Sequence, residues 1–104
     1  MIEEISATDA AAALAAGDHI LLDVREAMEL EAAAVDGALH IPMGEIPARM
    51  EEIPRDRTVI CMCHLGGRSM QVAAFLAAQG YEHVYNMTGG IEAWMLDVDP
   101  NAAR

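Results

Sequence analysis

Short apolar runs alternate with helix-like segments along the whole chain, and this alternation restricts the fold more than any other feature. The run HILLDV at 19–24 is apolar until its aspartate, as expected of a strand that is buried on both faces. The run TVICM at 58–62 has a similar character. Buried strands separated by helices predict a parallel sheet that is covered by helices on both faces. We therefore expect an α/β fold with a five-stranded parallel sheet.

The predicted elements follow this alternation closely. Strands are predicted at 3–5, 19–24, 38–42, 58–62 and 83–86. Helices are predicted up to residue 16, with Ser6 or Thr8 as the cap, and at 26–34, 46–52, 69–79 and 89–96. Residues 97–104 are predicted to be a tail. A chain of 104 residues suits one domain, so we expect a single domain over 1–104.

The charge of the chain excludes several classes of partner. The net charge is −11, from seventeen acidic residues and six basic residues. Nucleic acids and anionic membrane surfaces bind cationic patches, so neither is an expected partner. The acidic start MIEE differs from a signal peptide, and no stretch approaches the roughly 20 apolar residues of a membrane span. We therefore expect a cytoplasmic protein with two reduced cysteines.

The segment CHLGGRS at 63–69 combines a thiol, two glycines and an arginine between a strand and a helix. Such a loop can turn successive N–H groups inward as a nest for negative charge, and the helix that follows adds its positive end. Arg68 supplies a fixed cation. Each of these features favours thiolate over thiol, so we expect a Cys63 pKa below the usual value of roughly 8.5. Cys63 is therefore the candidate nucleophile.

Four segments in the same order resemble the rhodanese family, the single-domain sulfurtransferases. They are CHLGGRS itself, LLDVRE at 21–26, DGALHIP at 36–42 and NMTGGIEAW at 86–94. Cys63 and Arg68 are separated by four residues. The related tyrosine phosphatases carry Cys-x5-Arg instead, so the spacing favours the sulfurtransferase branch of this wider fold.

The resemblance implies a rhodanese-type mechanism, as in thiosulfate:cyanide sulfurtransferases. The Cys63 thiolate would take sulfur from thiosulfate or a small persulfide such as glutathione persulfide, and hold it as a persulfide. Cyanide in an assay, or a thiol or acceptor protein in the cell, would then remove the sulfur. Arg68 would orient the donor and brace the loop, while His64 and Leu65 would face the substrate. The remaining predicted anion-binding residues are Gly66, Gly67 and Ser69.

Some roles remain open at this stage. Ser69 is expected either to hydrogen-bond the sulfur or to cap the helix. Asp23 and Arg25 follow the second strand; Arg25 either attracts an anion or forms a structural ion pair with a carboxylate such as Glu26 or Glu29.

Cys61 is interpreted as a small buried hydrophobic residue rather than a resolving thiol, because two cysteines this close in a strand are badly placed for a disulfide. No cofactor is expected. No metal is expected either, since Cys61, Cys63 and His64 lack a second ligand pair at the usual spacing.

Two alternatives to a self-sufficient enzyme remain. Some rhodanese folds serve only as non-catalytic binding or sensor modules, although these often lack the cysteine. A sulfur carrier that depends on a partner enzyme is the other alternative.

Overall fold

A five-stranded parallel sheet forms the centre of the structure, a computed structural model that describes residues 2–103. The strand order is β1-β5-β4-β2-β3. The strands are β1 (Glu3–Ile5), β2 (His19–Asp23), β3 (Leu39–His40), β4 (Thr58–Met62) and β5 (Val84–Met87). The helices are α1 (Ala7–Ala16), α2 (Ala27–Ala32), α3 (Gly67–Ala78) and α4 (Gly90–Asp97). The predicted parallel α/β architecture is confirmed.

Side chains of the central strands alternate between two hydrophobic clusters, one on each face of the sheet. Leu22 and Cys61 belong to a cluster with the inner residues of α3. Leu21 and Ile60 belong to a second cluster with residues of α1 and α4. Because both faces are covered, β2 and β4 must be apolar on both sides, which is why their sequences are continuous apolar runs.

Two predicted elements differ from the structure. The segment predicted as an α-helix at 46–52 forms a 3₁₀ helix over Pro47–Glu52, preceded by another at Met43–Glu45. Arg49 interrupts the regular helical geometry with φ −119° and ψ 20°. The third strand is shorter than predicted and contains only Leu39 and His40. The Ile41 N–H still donates a hydrogen bond of 3.0 Å to the Asp23 carbonyl, but the next residue, Pro42, has no N–H to donate.

The segment 97–104 was predicted to be a tail, but its described residues, 97–103, include helical structure. Asp97 is still part of α4, and a further 3₁₀ helix covers Pro100–Ala102. Ala102 is buried, and its carbonyl accepts a hydrogen bond of 3.0 Å from the Ala34 N–H. This segment therefore packs against the part of the chain that follows α2.

The sheet brings three chain segments to one edge. In a parallel sheet all strands end at the same edge, where ligands of such folds bind. β4 lies between β5 and β2, so the loop that follows β4 is flanked by the ends of both neighbours. Cys63 follows β4, Asp23 ends β2, and Asn86 lies one residue before the end of β5.

Candidate active site

The loop after β4 is held by two of its carbonyl groups, which accept hydrogen bonds from the start of α4. The Cys63 carbonyl accepts a hydrogen bond of 2.9 Å from the Ile91 N–H, and the His64 carbonyl accepts one of 3.3 Å from the Glu92 N–H. In a trans peptide the N–H points opposite to the C=O. The first turn of α4 therefore turns the N–H groups of His64 and Leu65 away from itself.

Two glycines allow the loop after β4 and the start of α4 to approach each other closely. Gly66 has φ +117°, a left-handed conformation that favours glycine. Gly90 has φ +55°, and a Cβ atom there would overlap with the carbonyl groups of Cys63 and His64. Gly67, by contrast, has open space around a Cβ position and no positive φ. Of the two loop glycines, only Gly66 therefore has a conformation that requires glycine, and Gly90 of α4 must lack a side chain.

The Cys63 sulfur is buried and surrounded by hydrogen-bond donors. The residue is 1 % exposed. Its Sγ accepts hydrogen bonds from the Gly66 N–H at 3.1 Å and from the Ser69 hydroxyl at 3.3 Å. Burial raises the pKa of the Cys63 thiol. The Ser69 hydroxyl and the backbone N–H groups of Ser69, Gly66 and Leu65 more than offset this, so the pKa lies below its usual value.

Ser69 connects the sulfur to Asn86. Its hydroxyl oxygen lies 2.5 Å from Asn86 Oδ1 and does not cap α3, whose N-cap is Gly66. Asn86 is 1 % exposed and donates from Nδ2 to the Gly66 carbonyl at 3.1 Å and to Glu4 Oε1 at 3.3 Å. Of the two roles expected for Ser69, the geometry matches the contact with sulfur. Asn86 holds both the serine and the loop.

Arg68 is paired with a carboxylate on α2. Its Nη1 and Nη2 atoms each donate a hydrogen bond of 2.8 Å to Glu29. The Arg68 hydrogen bonds are the largest influence on the carboxyl group and lower the pKa of Glu29 to about 2. This bidentate pair braces α2 against the start of α3. The guanidinium is therefore already engaged by a negative charge.

Arg25 has a structural role, because its guanidinium is held in a buried ion pair of its own. Its Nε and Nη2 atoms donate to Asp23 at 3.0 and 2.8 Å, and both residues are buried. The remaining contacts of its guanidinium are with the carbonyls of Glu29 and Ala33. Of the two roles left open for Arg25, the structure shows the structural ion pair, with Asp23 as its partner rather than Glu26 or Glu29. The carboxylate of Glu29 is instead bound by Arg68.

His64 and Leu65 lie on the outer side of the loop. Leu65 is 65 % exposed. His64 Nε2 lies 2.8 Å from Glu92 Oε1, so its exposed ring contacts a carboxylate of α4. Both side chains are therefore exposed beside the loop, and their contact with a substrate stays a prediction.

Cys61 lies inside the core, two residues before Cys63. It is fully buried, and burial raises the pKa of its thiol to about 12. Both cysteines are free. The structure thus matches the interpretation of Cys61 as a small hydrophobic residue, and of the two cysteines Cys63 is the one with a lowered pKa.

Known proteins resemble this chain over nearly its whole length. The family described as "Rhodanese-like domain" matches residues 6–97. The chain belongs to the rhodanese-like family. A sulfurtransferase of Allochromatium vinosum is 43 % identical over 95 residues, covering 90 % of this chain and 89 % of the relative. A thiosulfate sulfurtransferase of Tolumonas auensis is 38 % identical over 90 residues, covering 86 % and 85 %. The human single-domain sulfurtransferase structure has a TM-score of 0.80 at 26 % identity, covering 93 % of this chain and 98 % of that chain.

Two residues of this rhodanese-like site were not predicted from the sequence, namely Glu29 and Asn86. Asn86 is an amide in the mostly apolar strand VYNM, and a buried amide needs specific hydrogen-bond partners. This pattern could have identified Asn86 as a residue of the site. No local sequence pattern predicts that Glu29 pairs with Arg68, because the two residues are 39 positions apart in the chain.

Within residues 2–103 no group of three or more His, Cys, Asp or Glu side chains is placed to hold a metal ion. No helix in the same range is long and apolar enough to cross a membrane.

Proposed function

We propose that this protein is a sulfurtransferase that carries sulfane sulfur as a Cys63 persulfide. The observation that carries the proposal is the buried Cys63 sulfur, which accepts hydrogen bonds from Gly66 and Ser69 and has a lowered pKa. The same donors that stabilise a thiolate would stabilise a persulfide anion. A thiol held this way is suited to accept and release one sulfur atom.

In the proposed first step, the Cys63 thiolate attacks the outer sulfur of the donor. A bond forms between Cys63 Sγ and that sulfur, while the donor's own S–S bond breaks and its electron pair leaves with the departing group. With thiosulfate the leaving group is sulfite; with an organic persulfide it is the thiolate. In the second step, cyanide, a thiol or an acceptor protein attacks the outer sulfur and restores the Cys63 thiolate.

The burial of Cys63 supports sulfur as the transferred group. Because Cys63 is 1 % exposed, a donor reaches Sγ only with a slender terminal atom. The four-residue spacing between Cys63 and Arg68 is also shorter than the phosphatase loop that accommodates a phosphoryl group. Both features favour sulfur transfer over phosphoryl transfer.

The donors under consideration are thiosulfate and small persulfides, and the acceptor is a thiol or a protein. The two free cysteines fit a reducing compartment, so we propose that the protein acts in the cytoplasm. A partner-dependent carrier is the second candidate, because Leu65 is 65 % exposed beside the buried thiol and offers an apolar contact to a docking protein.

Intact-mass spectrometry after brief incubation with thiosulfate tests the proposal. Wild type and Cys61→Ser should gain one sulfur that cyanide removes, and Cys63→Ser should gain none. The Cys61 variant is the matched control because it removes the other thiol of the chain. If thiosulfate fails, glutathione persulfide is tried next. A wild type that stays unmodified with both donors would refute the enzyme and leave a binding module.

A further inference from the structure

We propose that Glu29 determines the choice of sulfur donor by occupying Arg68, so that the site takes organic persulfides in preference to thiosulfate. This inference rests on the sulfurtransferase activity proposed above and names the donor class for the same site. The contact that carries it is the bidentate pair between Glu29 and Arg68, with both distances at 2.8 Å.

The pair removes the cation that a sulfonate would need. Arg68 belongs to the segment 63–69, and the Glu29 carboxylate neutralises its positive charge in a direct ion pair. Thiosulfate carries two negative charges, whereas the carbon end of a simple organic persulfide carries none. A thiosulfate ion must therefore either displace the Glu29 carboxylate or approach Cys63 beside it, and both routes are unfavourable.

Other cations near the loop do not compensate. Among residues 2–103 the remaining arginines all make hydrogen bonds or ion pairs of their own; they are Arg25, Arg49, Arg55 and Arg57. Arg55 and Arg57 bind the Gln79 and Gly17 carbonyls, at the ends of α3 and α1 that lie far from the loop. The His64 ring faces the Glu92 carboxylate.

The surface beside the loop suits an organic group. A groove of about 280 Å³ opens between α2 and α4, next to His64. Its apolar lining includes Ala32, Ala33, Ile91 and Met95, and its carboxylates are Glu29 and Glu92. The one arginine in the lining, Arg25, is buried and already paired with Asp23. A carbon chain can lie against the apolar residues, while a second anion would meet the carboxylates. The groove and the ion pair thus favour the same donor class.

The transfer balances with an organic persulfide as the only co-reactant. The Cys63 thiolate forms a bond to the outer sulfur of R–S–SH, and the S–S bond of the donor breaks. The electron pair of that bond leaves as R–S⁻, and the transferred sulfur keeps its proton until water removes it. No external oxidant or reductant is required, since Cys63 gains the sulfur that the donor loses.

Rates of Cys63 loading in wild type and Glu29→Gln test the inference. Loading is followed by intact mass at several concentrations of thiosulfate and, separately, of 2-mercaptoethanol persulfide. We expect Glu29→Gln to raise the second-order constant for thiosulfate about fivefold, the effect of one neighbouring charge in a partly solvated site. The constant for the persulfide should stay within about twofold, because its carbon end is uncharged.

Glu31→Gln is the matched control, because it removes the same charge from an exposed position of α2. It should change neither constant by more than about twofold, since exposed charges act weakly at a distance. Glu29→Ala repeats the test if the melting curve of Glu29→Gln shows a misfolded protein.

Equal changes with both donors, or a fall with thiosulfate, would overturn the inference and leave Glu29 as a brace only. An equal gain in Glu31→Gln would also overturn it, because the net charge of the surface would then explain the effect. If neither donor loads wild type, the sulfurtransferase proposal itself fails, a result that is recognisable without any Glu29 variant.

Discussion

The hydroxyl oxygen of Ser69 lies 2.5 Å from the side-chain oxygen of Asn86, and both residues are buried. A hydroxyl has one proton to donate, and the Cys63 sulfur lies 3.3 Å from the same oxygen. Asn86 and the sulfur therefore compete for this proton. When Cys63 loses its own proton, the hydroxyl can turn toward the thiolate, which is the stronger acceptor.

Replacing Ser69 by Ala should raise the pKa of Cys63, because the thiolate loses its side-chain donor. Hydrogen bonds to charged groups contribute about 1.5–3 kcal/mol, so the midpoint of the pH–rate profile for iodoacetamide alkylation should rise by about one pH unit or more. Ser6→Ala is the control, since Ser6 caps α1 away from the site. An unchanged midpoint would show that the backbone N–H groups alone set the pKa.

Asn86→Ala should lower the free energy of unfolding by about 1–3 kcal/mol, because the buried Ser69 hydroxyl and the partly buried Gly66 carbonyl each lose a hydrogen bond. Urea denaturation measures this change. Asn101→Ala is the control at an exposed position and should alter stability by less than about 0.5 kcal/mol. Equal stabilities of the two variants would contradict the role of Asn86 in holding the loop.

The Glu29–Arg68 pair should stabilise the fold in a defined pH range. The Arg68 hydrogen bonds lower the pKa of Glu29 from 4.5 to about 2. Its contribution is thus complete above pH 4.5 and is lost as the pH falls toward 2. Because the pair is partly exposed, we expect about 1 kcal/mol between wild type and Glu29→Gln at pH 6. Urea denaturation across this range should show the difference shrinking; a constant difference would exclude the carboxylate charge as its origin.

Gly90→Ala should be strongly destabilising, because its Cβ would overlap with the Cys63 and His64 carbonyls at a φ of +55°. We expect a loss of about 3 kcal/mol or more in the free energy of unfolding, as for other severe core clashes. Gly44→Ala is the control, because its Cβ position is open and its φ is not positive. If both variants have the same melting temperature, the close approach of α4 to the loop is not needed for stability.

The sequence predicted the fold and the central loop because their signals are local. The apolar runs of β2 and β4 indicate burial on both faces, and the thiol, glycines and arginine of 63–68 are contiguous. The partners of those residues come from distant positions, as Glu29 shows at 39 residues from Arg68. Only the packing of α2 beside the sheet edge brings them together, so propensity and spacing could not predict this pair.

The difference between local signals and tertiary contacts also explains where predictions from the sequence differ from the structure. For Arg25 a structural ion pair was one of two predicted roles, with Glu26 or Glu29 as the suggested partners, yet Asp23 is closer once β2 ends and the chain turns. The 46–52 segment has helical composition, but proline and the irregular backbone at Arg49 leave it as a 3₁₀ helix. In both cases a tertiary or backbone restriction outweighed a local preference.

The anchoring of the loop by α4 has a consequence for the order in which the protein is made. A chain on the ribosome that ends before Ile91 contains the whole segment 63–69 but lacks the N–H groups that hold the Cys63 and His64 carbonyls. The donors to the sulfur are then not arranged, and the thiol behaves as an ordinary cysteine. Packing of α4 against the loop thus completes the arrangement around Cys63, and a truncated chain that ends before Ile91 should carry no sulfur.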